Sequence, residues 1–254
     1  MLIAVTREVS PGIGRCELTH LERSAIDLEL ARVQHRSYEE CLAALGCEVH
    51  RLPAEAELPD SVFVEDAAVV LEEAAVITRP GAESRRPETE SLARALHPYR
   101  TLLFIEPPGI LDGGDVLTLG KTIYIGRSSR TDAGAVNQMR ELVAAFGYEV
   151  RPVDLAGCLH LKSAVTHVGR DTLLVNPKWL DPGVFSGFDL LEVHPSEPFG
   201  ANALLVGERV VYPSAFPRSR ERLERKGIGV TPVDLSELAK AEGGVTCCSL
   251  LVRV

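Results

Sequence analysis

The feature that most constrains this chain is an internal period of about 50 residues, long enough for one supersecondary unit per repeat. Four segments read as two short strands around a polar turn: AAVVLEEAAVITRP (67–80), DVLTLGKTIYIG (115–126), SAVTHVGRDTLLVN (163–176) and NALLVGERVVYP (202–213). A fifth hairpin can form between the two ends of the chain, pairing CSLLVRV (248–254) with LIAVTR (2–7). Each unit then supplies one more strand: CEVHRLP, TLLFIEP, YEVRPVDL, FDLLEVH and IGVTPVDL.

Helix signals fall between hairpin and third strand. Pro87 suits a first helical position in RRPETESLARAL. Thr131 is placed to cap TDAGAVNQMRELVAAFG, in which Ala135, Met139, Leu142, Val143 and Phe146 share a face and Gly147 is the stop. SAFPRSRERLERKG stops at Gly227 and YEECLAALG at Gly46, whereas Pro177, Pro182 and Gly183 restrict NPKWLDPGVFSGF to a short helix. Five ββαβ units predict an α/β fold, a five-bladed α/β propeller with pseudo-five-fold symmetry, with residues 1–254 as one domain. Pairing the two ends would close the ring and remove an exposed sheet edge. A sandwich of helices and mixed sheet is the competing reading of the same elements.

The segments joining each third strand to the next hairpin would face the ring's axis, and they carry the chemically capable residues. These are Asp60, Glu65 and Asp66; Asp112 and Asp115; His160; Asn202; and Cys247 with Cys248. Positions 66, 112, 160, 202 and 247 are separated by 46, 48, 42 and 45 residues, so their side chains can converge from successive blades.

Each of these residues also has an ordinary structural reading. A cysteine before an apolar strand is by default a small buried hydrophobe. Gly243 and Gly244 just ahead give a flexible approach that can expose a thiol. Cys248 would point to the opposite strand face, so one of the pair is structural and the pattern does not say which. His160, between Leu159 and Leu161, fits a satisfied core histidine as well as an acid/base, and the other six histidines read as surface or packing residues. DGGD is common turn composition. Glu65 and Asp66 open an apolar strand, where unpartnered acids are costly, so they face water or bind a cation. Arg79, Arg85 and Arg86 form either a solvated loop or an anion clamp.

The formal net charge of −9, without a Lys/Arg cluster, argues against nucleic acid or an anionic membrane as partner. No apolar run approaches the ~18–20 residues that span a bilayer, and MLIAVTREVSPG lacks the pattern of a secretory signal. Six cysteines without a CxxC pair suggest reduced thiols in the cytoplasm rather than disulfides or a structural zinc.

Seven stretches carry a resemblance: DSVFVEDAAVV, ITRPGAESRRPETE, LDGGDVL, IYIGRSSRT, LHLKSAV, NALLVGERVVYP and GGVTCCSL. They resemble, in order and from about residue 18 onward, the dimethylarginine dimethylaminohydrolases of the guanidino-group-modifying superfamily. That family's fold is the five-bladed propeller. The resemblance implies Cys247 as nucleophile, His160 as general acid/base and Asp112 as the residue orienting His160. It places Glu65 and Asp66 on the guanidinium, Arg85 and Arg130 on the substrate α-carboxylate, and Asp60 with the backbone near Ala241 and Glu242 on the α-amino group. Phe63 would pack beside the substrate, and Leu18 would belong to a loop closing over the site.

These residue types suit the chemistry. A guanidinium is a poor electrophile, so carboxylates must fix its plane, a thiolate must attack its carbon, and an acid must protonate the leaving nitrogen. The expected substrate is a small cationic amino acid, an Nω-methylated arginine converted to citrulline and a methylamine. No cofactor, metal, nucleic-acid or membrane partner is expected, and a homodimer is compatible. Hydrolysis of arginine or citrulline on the same scaffold, amidino transfer to an amine, and non-catalytic binding of cationic amino acids are the alternatives.

Overall fold

A computed structural model describes residues 1–254. Its five sheets have three strands each, in every case an antiparallel pair extended by a parallel strand. The first blade pairs the two ends of the chain: Leu2–Arg7 lies antiparallel to Leu250–Arg253, with Leu2 opposite Arg253 and Val5 opposite Leu250. Cys47–Leu52 adds in parallel on the other side, after the helix Leu28–Ala44. The second blade is Ala68–Val70, Ala74–Ile77 and Thr101–Phe104, with helix Glu88–Leu96. The third is Val116–Leu119, Thr122–Arg127 and Glu149–Asp154, with helix Ala133–Val143. The fourth is Val165–His167, Thr172–Val175 and Asp189–Glu192, whose connection holds only the 3-10 turn Pro182–Phe185. The fifth is Leu204–Val206, Arg209–Pro213 and Gly229–Val233, with helix Pro217–Arg225.

What closes the ring is that each middle strand is buried on both faces. Ile3 and Val5 pack with Ala75, Ile77 and Leu92 of the second blade, while Ala4 between them packs with Val206 and Val211 of the fifth. Ile123 and Ile125 join the second blade's Val76, and Tyr124 turns to Leu173 and Val175 of the fourth. Leu174 in turn meets Val210 and Tyr212 of the fifth. Five such clusters, one between each pair of neighbours, run around the ring. Two-sided burial requires near-continuous apolar runs, which is why AAVI, TIYI, TLLV and RVVY lack polar alternation. Each buried Ile or Leu stabilises the ring by roughly 1.5–3 kcal/mol, so one polar residue on either face would weaken a whole inter-blade contact.

Three local expectations change. Asp132, not Thr131, caps the third-blade helix, accepting from the Ala135 amide at 2.8 Å. Thr131 is taken by the core, its hydroxyl donating to buried Asp115 at 2.7 Å. The acids of FVED do not open a strand but lie in the 3-10 turn Val64–Ala67, and the strand begins at Ala68. The turn explains how both acids can face the centre: neighbouring side chains stand about 120° apart on a 3-10 helix rather than on opposite faces. Cys247 and Cys248 likewise precede their strand, which begins at Leu250. No helix is long and apolar enough to cross a membrane.

Candidate active site

Cys247 sits at the end of a tight turn in which its amide donates to the Gly244 carbonyl at 3.2 Å and the Gly244 amide donates to its sulfur at 3.3 Å. The thiol lines a cavity, whereas Cys248 is fully buried in the cluster between the fifth and first blades. The geometry thus separates two adjacent cysteines that the pattern alone left equivalent. Gly244 is required here for close approach rather than flexibility, because a Cβ would lie 2.3 Å from the Asn202 side-chain oxygen. Burial pushes the Cys247 thiol up to about 12, reinforced by the nearby carboxylates of Glu65 and Asp66. In the free protein this sulfur is a thiol, not a thiolate.

His160 is the last extended residue before the helical turn Leu161–Ala164. Its Nε2 is 3.0 Å from Asp112 Oδ2, and its Nδ1 is 3.8 Å from Asp66 Oδ1. Burial alone would hold the ring neutral, but Asp66, the hydrogen bond to Asp112 and the charge of Asp115 outweigh it and raise the imidazole to about 9. His160 is therefore an imidazolium at neutral pH, ready to donate. Asp115 fixes the backbone beside it by accepting from the Leu161 amide at 2.9 Å. Asp66 is held in place by Arg85 at 2.7 Å and the Gly114 amide at 3.1 Å. Gly114 cannot be replaced without disturbance, since a Cβ would lie 2.7 Å from His160 Nδ1 and 2.8 Å from Asp66 Oδ1. Asp66, Asp112 and His160 offer ligand atoms within 4.8 Å of one another, and a ring held between two acids suits proton transfer.

Glu65 brings three residues to the site that had no assigned role in the sequence reading. Lys162 donates to one of its carboxylate oxygens and the Thr246 hydroxyl to the other, each at 2.6 Å. Asn202 ties them together, donating to the Lys162 carbonyl and to the Thr246 hydroxyl, both at 3.0 Å. Lys162 and Thr246 stood in the motifs LHLK and GGVTC, but nothing local announces an ion pair spanning 97 positions.

A second, narrow cavity meets the first at Cys247 and His160 and is lined by Asp60, Phe63, Asp66, Arg85, Arg130 and the backbone region of Ala241 and Glu242. Phe63 is buried with its ring against Gly243. Arg85 is buried and already committed, its charge shared between Asp66 and both oxygens of Glu88. It also donates to the carbonyls of Asp60 and Phe63. Arg130 is more open and donates to the Thr19 hydroxyl at 2.9 Å. Arg79 and Arg86 lie outside both cavities, bonded to the carbonyls of Gly109 and Pro80.

The loop after Cys16 is closed over the narrow cavity. Asp60 accepts from the Glu17 amide at 3.1 Å. Glu242, in a left-handed conformation with φ of 60°, accepts from the amides of Thr19, His20 and Leu21 at 3.0, 2.6 and 2.7 Å. Leu18 packs against the core between the fifth and first blades rather than lining either cavity. With this loop shut the narrow cavity has about 20 Å³, room for about one water.

A family model for eukaryotic N,N dimethylarginine dimethylhydrolase matches residues 18–182. A dimethylarginine dimethylaminohydrolase of Streptomyces coelicolor is 41% identical over 252 residues, covering 98% of this chain and 96% of the relative. This chain belongs to the dimethylarginine dimethylaminohydrolase family. The Pseudomonas aeruginosa dimethylarginine dimethylaminohydrolase is 37% identical over 226 residues, covering 88% of this chain and 89% of its own. A cysteine-to-serine mutant of the P. aeruginosa protein complexed with citrulline superposes with a TM-score of 0.91 at 34% identity, over 98% of both chains. A dimethylarginine dimethylaminohydrolase adduct with S-methyl-L-thiocitrulline superposes at 0.93 with the same identity, over 99% of this chain and 100% of that one. The five-bladed ring is thus the fold of the dimethylarginine dimethylaminohydrolase family.

Proposed function

We propose that this protein hydrolyses Nω-methylated arginines to citrulline and methylamine or dimethylamine through a covalent intermediate on Cys247, with residues 1–254 acting as one catalytic domain. The observation that carries the reading is a thiol and an imidazolium at the meeting point of two cavities, with Glu65 lining the wide one and Asp66 the narrow one. Lys162 on Glu65 shows that this carboxylate already takes a cation. A guanidinium laid against Glu65 and Asp66 would offset the two negative charges that hold the Cys247 proton, so substrate binding itself would favour the thiolate.

The thiolate then adds to the guanidinium carbon. His160 protonates the departing nitrogen, and its ring nitrogen on the Asp66 side is the one not held by Asp112. Loss of the amine leaves a planar thiouronium on Cys247. His160, now neutral, takes a proton from a water that attacks the same carbon, and collapse of that adduct releases citrulline and the sulfur. Asp112 keeps the imidazole oriented. Arg130 is the freer of the two arginines for the substrate carboxylate, with Arg85 as a fixed positive wall. Asp60 and the backbone at Ala241 and Glu242 would receive the amino group once the Glu17 amide withdraws, Phe63 flanks the aliphatic stem, and Leu18 moves with the closing loop.

The test is a substrate panel of arginine, monomethylarginine, asymmetric dimethylarginine and citrulline, with identification of the released amine or ammonia. Acid quenching of the dimethylarginine reaction should give a thiouronium mass on the peptide containing Cys247. Ammonia from arginine as the dominant product would replace the reading by a deiminase, and binding without any product would leave only a binder.

A further inference from the structure

We propose that the wide cavity beside Cys247 is a subsite for the Nω-substituent, so that arginines carrying alkyl groups longer than methyl are hydrolysed as well. The inference rests on the hydrolysis proposed above and adds the class of amine released. The narrow cavity carries Asp60, Arg85 and Arg130, groups suited to the charged end of an amino acid. The wide one carries Glu65, Lys162 and Thr246 next to Cys247 and His160. A guanidinium held at the junction, with its amino-acid end in the narrow cavity, directs a terminal nitrogen over Glu65 into the wide one.

That cavity has about 260 Å³. A dimethylamino group has three heavy atoms, and the narrow cavity's 20 Å³ takes about one water-sized unit, so a space about thirteen times larger holds a longer alkyl chain as well. Much of its lining surface is apolar, with Phe199, Ala215, Phe216, Leu235 and Ala239 interleaved with Ser214 and Asp234. Phe199 is 50% exposed and is fixed by an edge-on contact with Trp179, their centroids 5.1 Å apart. An exposed aromatic ring held in place at the mouth of a reactive cysteine's cavity offers contact area to an apolar group. The reaction is unchanged in its balance. The C–N bond to the substituted nitrogen breaks with its electron pair on nitrogen, His160 supplies the proton, an alkylamine leaves, and one water is consumed in releasing citrulline.

The experiment compares kcat/KM for Nω,Nω-dimethylarginine and Nω-butylarginine, with arginine as a control, in the native protein and in Ala239→Trp and Ala215→Trp. Both alanines are exposed, so either tryptophan can fill the cavity without entering the core. The expected result is butylamine release within about tenfold of the dimethylarginine rate. At least one tryptophan variant should lower the ratio of butylarginine to dimethylarginine kcat/KM by about tenfold or more. Dimethylarginine turnover with butylarginine at least about a thousandfold slower overturns the subsite and leaves the proposed function standing, as does butylarginine turnover indifferent to both tryptophans. Absence of citrulline from every substituted arginine overturns the hydrolytic reading and the subsite with it.

Discussion

Asn202→Ala tests whether the site is held together as described. The Asn202 side chain makes three hydrogen bonds, to the Lys162 carbonyl, the Thr246 hydroxyl and the Thr246 amide, at 3.0, 3.0 and 3.2 Å. It links the segment after His160 to the turn that carries Cys247. Alanine removes all three and leaves the Thr246 N–H and the Lys162 carbonyl to find other partners. At about 0.5–1.5 kcal/mol net for each neutral hydrogen bond, the loss is roughly 1.5–4.5 kcal/mol. For a chain of this size each kcal/mol moves Tm by about 2–4 °C, so a mid-range loss of about 3 kcal/mol lowers it by roughly 6–12 °C. Activity should fall further than folding requires. Thr246 precedes Cys247 and holds Glu65, and a misplacement on the order of 1 Å at a reacting centre can cost up to about a hundredfold. Thermal melting by circular dichroism, with citrulline formation measured well below the melt, reads both effects. A variant with Tm within about 1 °C of the native protein and an unaltered kcat would show that Asn202 ties nothing together.

Cys247→Ala should abolish citrulline formation, whereas Cys248→Ala should keep most of kcat and lose about 1 kcal/mol in denaturant titration, since only the second sulfur is core; activity surviving in Cys247→Ala would reassign the nucleophile. His160 is protonated in the fold up to about 9, against an ordinary 6.5. The stability it adds is complete below 6.5 and is lost as pH rises through about 9. At saturating substrate, where the bound guanidinium already favours the thiolate, kcat should decline over that same upper limb as the acid disappears, and a kcat profile flat to about pH 10.5 would remove His160 as proton donor. Glu242→Ala should release the three amides of the closed loop, raising KM and opening residues 17–24 to limited proteolysis. Identical cleavage of variant and native protein would mean that the loop is held by something else.

Much of the ring was legible because the signals that define it are local. Short apolar runs, turn residues and stop glycines recur in every unit, and regular spacing of the junction residues pointed Asp66, Asp112, His160, Asn202 and Cys247 at one centre. Pairing of Leu2–Arg7 with Leu250–Arg253 followed from the need to bury an edge. What stayed illegible was set by contacts between blades. Thr131 looks like a helix cap until Asp115, 16 residues earlier, claims its hydroxyl. Lys162 carries no signal of its own until ring closure sets its ammonium on Glu65. Arg85 looks like a free clamp until Glu88 and Asp66 are seen to share its charge. Cys247 and Cys248 differ only in which way a turn aims them, and no residue-level pattern encodes that.

The joint between the two ends of the chain has a consequence for folding. The strand Leu250–Arg253 that completes the first blade and the turn bearing Cys247 both follow the four other blades in the chain, so there is neither a closed ring nor a competent catalyst until that stretch docks on Leu2–Arg7. Contacts this distant along the chain slow folding. Circular permutation should relieve the constraint: fusing residue 254 to residue 1 and cutting between the fourth and fifth blades, at exposed Ser196, would turn the most distant pairing into a local hairpin and leave each blade contiguous.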